Sequence, residues 1–171
     1  LLIMLIWKLN LRHLRALASI ARLGSISAAA EAISLTQPAI TQALAKLEAQ
    51  LGQPFFESRP DGMTASAAAT MIAPRIESAL AHIASPRVTM AQLRALIMLA
   101  GSGSYAGASI ATGLAQPSLH RAIGDLSLAL KRTLVERRGK GIALTEQGKR
   151  TLRAFRLAHA ELEAGLSELT S

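Results

Sequence analysis

The sequence predicts a mainly α-helical protein made of two tandem copies of one small domain. Half of the 171 residues are apolar and only 3% are aromatic. The apolar residues are rich in Ala and Leu, which are strong helix formers. The segment LTQPAITQALAKLE at Leu35–Glu48 returns as LAQPSLHRAIGDLS at Leu114–Ser127. Each copy is expected to contain three helices and a two-stranded β-hairpin, followed by a long closing helix.

The repeat extends well beyond these two segments. Gln37 and Gln116 lie 79 positions apart, and at this offset no gap is needed from Leu14 to Ala69. About three positions in ten are identical. Two units are too few for a solenoid, which usually needs at least three repeats. The pattern therefore indicates a duplicated domain.

The first two helices of each copy follow from apolar spacing. Apolar residues at i, i+3, i+4 and i+7 predict an amphipathic helix, and this spacing is found at Leu14, Leu17, Ala18 and Ala21 and again at Leu93, Leu96, Ile97 and Ala100. A Gly-Ser turn follows in both copies. The next, short helix of the first copy has one apolar face, formed by Ile26, Ala29, Ala30 and Ile33.

The third helix opens at Gln37-Pro38 in the first copy and at Gln116-Pro117 in the second. Proline is tolerated there because the first-turn amides of a helix have no partner within it. Thr36 is a good N-cap, but its counterpart is Ala115, and this loss is worth about 1 kcal/mol of helix stability.

A hairpin and a closing helix complete each copy. Strands are predicted at Pro54–Glu57 and Thr133–Glu136, each followed by a glycine-containing turn, and closing helices at Ser66–Ile83 and Thr145–Leu169. The predicted organisation is an N-terminal extension (1–8), a first domain (9–65) with its closing helix (66–84), a linker (85–87), and a second domain (88–144) with its closing helix (145–171).

The third helices carry the candidate functional surface. Their inner stripes are apolar, and the opposite faces hold small residues and one hydrogen-bonding side chain, Gln42 or Arg121. A helix that enters the major groove needs this arrangement, in which Gln can pair with adenine and Arg with guanine. A solvated helix face would look the same, so these helices alone leave both interpretations open. The outer positions are Pro38, Gln42, Ala45 and Ala49, and Pro117, Arg121, Gly124 and Leu128.

Three helices followed by a hairpin are the plan of a winged helix-turn-helix domain. The run GSISAAAEAISLTQPAITQALAKLEAQLGQPFFESR at Gly24–Arg59 resembles the DNA-binding domain of LysR-type transcriptional regulators. The second copy resembles the same family through LAQPSLHRAI and through VERRGKGIALTEQG at Val135–Gly148. The resemblance implies a bacterial, cytoplasmic, sequence-specific regulator that binds double-stranded DNA and is not an enzyme.

The resemblance also implies which residues contact DNA. In the recognition helices these are Thr36, Gln37, Pro38, Ala39, Thr41 and Gln42, and in the second copy Gln116, Pro117, Ser118, His120 and Arg121. The family's wing arginine, which lies along the adjacent minor groove and backbone, matches Arg137, whereas the first copy has Ser58 with Arg59 beside it. Further cations near the second wing are Lys131, Arg132, Arg138 and Lys140.

Charge predicts a division of labour between the copies. The formal net charge is +8, which is typical of a protein that binds a polyanion, although excess charge alone can also serve solubility. Residues 1–83 carry +2 and residues 84–171 carry +6. We therefore expect the second copy to supply phosphate affinity and the first to read sequence. The second copy also has Gly107, Gly113 and Gly124 where helix formers are expected, each costing about 1 kcal/mol inside a helix.

Packing against their own domains accounts for part of the apolar stripe of each closing helix, but the second helix is too long and apolar for that alone. The resemblance implies that both are linker helices that pair into dimers. The pairing could join two chains as a homodimer, or join the two copies of one chain as a pseudo-dimer. An effector-binding domain of the kind that follows the linker helix in the family is absent from these residues. We therefore expect no small-molecule inducer to bind to them.

Several other functions are disfavoured. Without cysteine there can be no disulfide and no thiolate metal site. The apolar opening LLIMLIW is too short to span a bilayer. The four histidines lack a metal-ligand spacing, and no nucleophile, base and orienting group occur together. No metal, cofactor or membrane contact is expected, and the few aromatic residues argue against a single-strand binder.

One rival interpretation remains from the sequence. Either copy could have lost DNA reading and survive as a dimerisation or protein-interaction module with only nonspecific DNA binding. Ala115 and the three glycines make this credible for the second copy.

Overall fold

The computed structural model describes residues 2–171, except for the side chain of Ile3. It confirms a mainly helical chain with two tandem winged helix-turn-helix domains, each followed by a long helix. Of the predicted extension at 1–8, residue 1 lies outside the described residues. The elements are α1 (Leu2–Ile6), α2 (Leu11–Leu23), α3 (Ile26–Ala32), α4 (Gln37–Leu51), β1 (Phe56–Arg59), β2 (Gly62–Ala65), α5 (Ala67–Ile83), α6 (Met90–Ser102), α7 (Tyr105–Thr112), α8 (Gln116–Leu130), β3 (Val135–Arg138), β4 (Gly141–Leu144) and α9 (Glu146–Thr170).

The chain divides into two compact units that do not follow the repeat boundaries. Unit 1 runs up to Ala81 and also takes in His159–Ser171, while unit 2 is His82–Ala158. Helix α9 therefore begins in unit 2 and ends in unit 1.

Each unit buries the apolar stripes of its three helices. In unit 1, Leu17 of α2 and both Ile40 and Leu47 of α4 are fully buried. In unit 2, Leu96 of α6 and Leu126 of α8 occupy the same repeat positions and are also fully buried. Burying a side chain of this kind contributes about 1.5–3 kcal/mol. These stripes therefore fix which face of α4 and α8 points outward.

Most of the helices have a side-chain cap at their N-terminus. The Oγ1 of Thr36 accepts the Ala39 N–H at 3.2 Å, and Thr89 forms a capping box with Gln92 at the start of α6. Ala115 has the same extended backbone as Thr36, but α8 lacks a side-chain cap. The predicted loss of a cap in the second copy is confirmed.

Each wing is an antiparallel hairpin that begins two residues later than predicted. Phe56 pairs with Ala65 in β1–β2, and Val135 pairs with Leu144 in β3–β4. The preceding residues Phe55 and Leu134 are fully buried. They lie before the paired strands and anchor each hairpin to its core, which is why the apolar run misled the prediction.

At two repeat positions with a left-handed backbone, one copy has glycine and the other has a residue with a side chain. Gly113 has a φ of +74°, and its counterpart Ser34 has a φ of +56°. The prediction that Gly113 lies inside a helix is wrong, because it is the C-cap of α7. At the end of the third helix the exchange is reversed, since Gly52 has a φ of +68° and Lys131 a φ of +54°. The left-handed region costs an ordinary residue roughly 1–2 kcal/mol.

The last thirteen residues pack as part of unit 1. The Nε of Arg75 on α5 donates to Oε1 of Glu168 on α9 at 2.8 Å, and its Nη1 lies 3.5 Å from Glu161. The hydrogen bond and charge of Glu168, followed by those of Glu161, raise the pKa of Arg75. Gly165 permits close approach, because a Cβ there would lie 3.1 Å from the Cβ of Arg75 and 3.3 Å from Cγ1 of Ile72.

Further contacts tie the same segment to the start of the chain. The rings of Trp7 and His159 stack with centroids 4.8 Å apart. Burial lowers the pKa of His159, although Glu163 acts in the opposite direction. The Nε2 of Gln53 donates to the carbonyl oxygen of Leu169 at 3.0 Å.

No single helix among residues 2–171 is long and apolar enough to cross a membrane. Helices α6 and α7 reach the length and apolar content of a membrane span only when they are taken together, and the angle between them is 117°.

Exchanging the residues at the left-handed turn should change stability in opposite directions in the two units. Ser34→Gly should stabilise unit 1 by about 0.5–1 kcal/mol, since it relieves the left-handed penalty at the cost of some unfolded-state entropy. Gly113→Ser should destabilise unit 2 by a similar amount. Denaturant unfolding measures both changes, and a loss of stability in Ser34→Gly would contradict this account.

Restoring the missing cap should stabilise α8. Ala115→Thr should raise the free energy of unfolding by about 1 kcal/mol, because its hydroxyl can accept a first-turn N–H. Ala115→Val is the matched control, with the same shape and no hydroxyl. An equal gain in both variants would show that the hydroxyl is not responsible.

Candidate nucleic-acid interface

The start of α4 presents a polar, exposed surface on unit 1. Gln37, Pro38, Thr41 and Gln42 are exposed and line an open groove. The Oγ1 of Thr41 donates to the carbonyl oxygen of Gln37 at 3.1 Å, which turns this hydroxyl back onto the helix. The Nε2 and Oε1 of Gln42 have no hydrogen-bond partner among the described residues, so this amide is available to an external partner.

The remaining predicted positions of unit 1 differ in their surroundings. Thr36 is exposed but uses its hydroxyl as the N-cap, and Ala39 is only half-buried. On the outer face, Ala45 and Ala49 are exposed beyond Gln42. Their small side chains leave room for a partner to approach the helix backbone closely.

The start of α8 presents the corresponding surface on unit 2. Gln116, Pro117, Ser118, His120 and Arg121 are all exposed. The guanidinium of Arg121 forms no ion pair with a described residue, although Asp125 lies one turn further along the helix. In place of Thr36, Ala115 offers no side-chain acceptor to the first turn.

An aromatic pair distinguishes the second surface from the first. The rings of Tyr105 and His120 stack with centroids 3.6 Å apart and planes 21° apart. Burial raises the pKa of Tyr105. The counterparts in the first copy are Ile26 and Thr41. This contact was not predicted from the sequence. A signal for it is that two aromatic rings occur at positions where the other copy has an aliphatic side chain and a hydroxyl side chain.

The wings carry different charges in equivalent positions. Arg59 lies 3.2 Å from Glu57, and Arg138 lies 3.6 Å from Glu136, so both arginines have an exposed acidic neighbour on the same strand. Such exposed pairs are worth little. Arg137 and Lys140 of the second wing are exposed and lack an ion pair within the described part of the chain. The first copy has Ser58 at the position of Arg137.

The first wing is held to the helices by a backbone hydrogen bond. The Met63 N–H donates to the carbonyl oxygen of Gly24 at 2.8 Å, at the end of α2. Among the described residues, the equivalent bond from Ile142 to Gly103 is not formed.

The two units differ far more in charge than the two halves of the sequence do. Unit 1 contains seven basic and eight acidic residues, for a net charge of −1. Unit 2 contains twelve basic and three acidic residues, for a net charge of +9. The contrast is sharper than predicted because Glu161, Glu163 and Glu168 fold into unit 1. Unit 2 therefore carries the whole positive excess of the protein.

The histidines do not form a metal site in residues 2–171, where no cluster of three or more potential ligands occurs. Burial lowers the pKa of His13, and the charges of Lys46 and Arg12 lower it further.

Comparison with known proteins agrees with this architecture. Residues 11–70 and 90–149 each match the family described as "Bacterial regulatory helix-turn-helix protein, lysR family". The HTH-type transcriptional regulator GalR of Pseudomonas putida is 26% identical over 175 residues, covering 95% of this chain and 44% of the relative. The HTH-type transcriptional regulator AbaB of Streptomyces antibioticus is 36% identical over 95 residues, covering 56% of this chain and 27% of the relative.

One solved structure is also similar. "Corynebacterium glutamicum OxyR C206S mutant, H2O2-bound" is 29% identical with a TM-score of 0.43, covering 50% of this chain and 26% of that one. The chain spans less than half the length of the curated relatives described above. Because the family match covers most of the chain and occurs twice, the chain belongs to the lysR family of bacterial regulatory helix-turn-helix proteins, which are DNA-binding transcription regulators.

Proposed function

We propose that this chain regulates transcription by binding double-stranded DNA sequence-specifically, with α4 and α8 in the major groove. The observation that carries the proposal is the exposed, polar start of each third helix, backed by a fully buried apolar stripe. Gln42 has the donor and acceptor pair that adenine recognition needs, and Arg121 has the fork that suits guanine. The protein would work in the bacterial cytoplasm, without a cofactor.

In this proposal the two units contribute unequally to DNA binding. Unit 1 has a capped recognition helix, a wing pinned to Gly24 and almost no net charge. It is suited to reading bases. Unit 2 has a recognition helix without a side-chain cap and a net charge of +9. It is suited to binding the phosphate backbone through Arg137, Arg138 and Lys140.

A second candidate function rests on exposed apolar residues of unit 2. Ile110 is 87% exposed and Leu128 is 76% exposed, where the first copy has Glu31 and Ala49. Contiguous exposed apolar patches, unlike single exposed apolar residues, mark interaction sites. This candidate function requires Ile110 and Leu128 to belong to such a patch, through which unit 2 would dock a protein partner and contribute only nonspecific DNA binding.

Selection of bound duplexes from a random DNA pool tests both functions. The wild-type protein should enrich a motif at near-physiological salt. Gln42→Ala should relax one base position of that motif and cost about 1–3 kcal/mol there, and Arg121→Ala should do the same at another position. Glu77→Ala, an exposed change on α5, should leave the motif unchanged. A motif that responds to Gln42→Ala and ignores Arg121→Ala would favour the interaction role for unit 2.

For assembly, we propose that the linker helices pair within one chain. The support is that Arg75 of α5 has both of its acidic partners on α9 of the same chain, and that Gly165 fits against Ile72 and Arg75. The purified protein should then have a mass of 18.0 kDa in light scattering over a wide concentration range. A mass twice as large would show that the pairing joins two chains as a homodimer.

A further inference from the structure

The charges of α9 are separated along its length. Its first half holds Lys149, Arg150, Arg153 and Arg156 with Glu146 as the only acidic residue, while His159–Ser171 contains three glutamates and no Lys or Arg. The helix macrodipole favours acidic groups near the N-terminus and basic groups near the C-terminus. Intrinsic helix stability therefore does not account for this order.

The acidic half has its explanation within the protein. Glu161 and Glu168 both bind Arg75 on α5, in unit 1. These carboxylates hold the end of α9 in place.

The basic half has no such explanation. Lys149 lies 3.2 Å from Glu146, but Arg150, Arg153 and Arg156 have no ion-pair partner among residues 2–171, and all four are exposed. Lys149, Arg153 and Arg156 line one open groove together with Glu146, Leu152 and Leu157. We call the four cations the basic face of α9. Within the described residues its three arginines form no ion pair, and its lysine pairs with Glu146.

The duplicated helix shows that the fold does not require this charge. The counterparts of the four cations on α5 are Thr70, Met71, Pro74 and Glu77, none of which is basic. A closing helix can therefore follow a winged domain without them.

The basic face lies on the part of α9 that is hydrogen-bonded to the residues just before the second wing. The Nη1 of Arg132 donates to Oγ1 of Thr151 at 3.0 Å, and the Thr133 N–H donates to Oε1 of Gln147 at 3.2 Å. Lys131 precedes them in a left-handed conformation where the first copy has glycine. Unit 2 thus carries cations both on the wing and on the helix that follows it.

From these observations we propose that the basic face of α9 binds phosphates of the duplex DNA backbone, in addition to the contacts of α8 and the second wing. The inference rests on the proposed DNA-binding function and extends it to a surface outside the helix-turn-helix and wing. The ligand is the repeating sugar-phosphate chain, which suits exposed Arg side chains without any fixed acidic partner.

The salt dependence of binding to the selected duplex tests this surface. Each lost phosphate contact should lower the slope of log K against log salt by about 0.9. Arg153→Gln/Arg156→Gln should therefore lower the slope by about 1.8, so that between 50 and 200 mM salt the wild type loses roughly 12-fold more affinity than the variant. Arg137→Gln/Lys140→Gln in the wing provides a reference for loss of phosphate contacts.

Two further variants isolate the effect. Arg153→Lys/Arg156→Lys keeps both charges and should retain the wild-type slope. Lys8→Gln/Arg87→Gln removes two exposed charges elsewhere and should change the slope much less. Gln has nearly the helix propensity of Arg, and thermal unfolding should show that the α9 variants remain folded.

The outcomes separate the two proposals. A wild-type protein that enriches a motif while Arg153→Gln/Arg156→Gln leaves the slope unchanged would overturn the inference alone and point to an acidic protein as the partner of this face. Equal slope changes in Lys8→Gln/Arg87→Gln would also overturn it, since net charge alone would then suffice. A wild-type protein that binds no duplex would overturn the proposed function as well.

Discussion

The burial of one apolar stripe on each third helix is the constraint on which the rest of the structure depends. Ile40 and Leu47 in α4, and Leu126 in α8, are fully inaccessible to solvent. A rotation of about 100° around the helix axis would expose them and cost several kcal/mol, at about 1.5–3 kcal/mol for each side chain. The outward face is therefore fixed in both copies. Evolution could change that face without disturbing the core, and the contrast between Gln42 and Arg121 reflects this freedom.

Duplication makes the effect of individual residues visible, because each copy serves as a reference for the other. The backbone keeps the same conformation where the residue has changed, as at Thr36 and Ala115 or at Gly52 and Lys131. The loss of a cap and the left-handed lysine weaken the second copy locally. What the second copy has gained is charge, and most of this charge lies outside the buried stripes. The second copy therefore combines weaker local caps with a larger positive charge than the first.

Much of the fold could be predicted from the sequence, since helices, caps and turns are set by residues close together in the chain. The repeat, the third-helix faces and the missing cap at Ala115 all belong to this class. The stacking of Tyr105 on His120 and the binding of Arg75 by Glu168 could not be predicted, because each depends on residues brought together only by tertiary packing. Phe55 was misread as strand because a buried anchor and a strand have the same apolar signature. The assignment of the DNA-contacting residues stays a prediction.

The route of α9 has a consequence for the order in which the protein can be completed. Unit 1 contains both the beginning of the chain and His159–Ser171. A ribosome delivers the helices of unit 1 first, yet the carboxylates that bind Arg75 and the ring of His159 that stacks on Trp7 are delivered only after all of unit 2 has been synthesised. Until His159–Ser171 have been synthesised, the contacts that they make with α5 and Trp7 cannot form. Completion of unit 1 therefore follows the synthesis of unit 2.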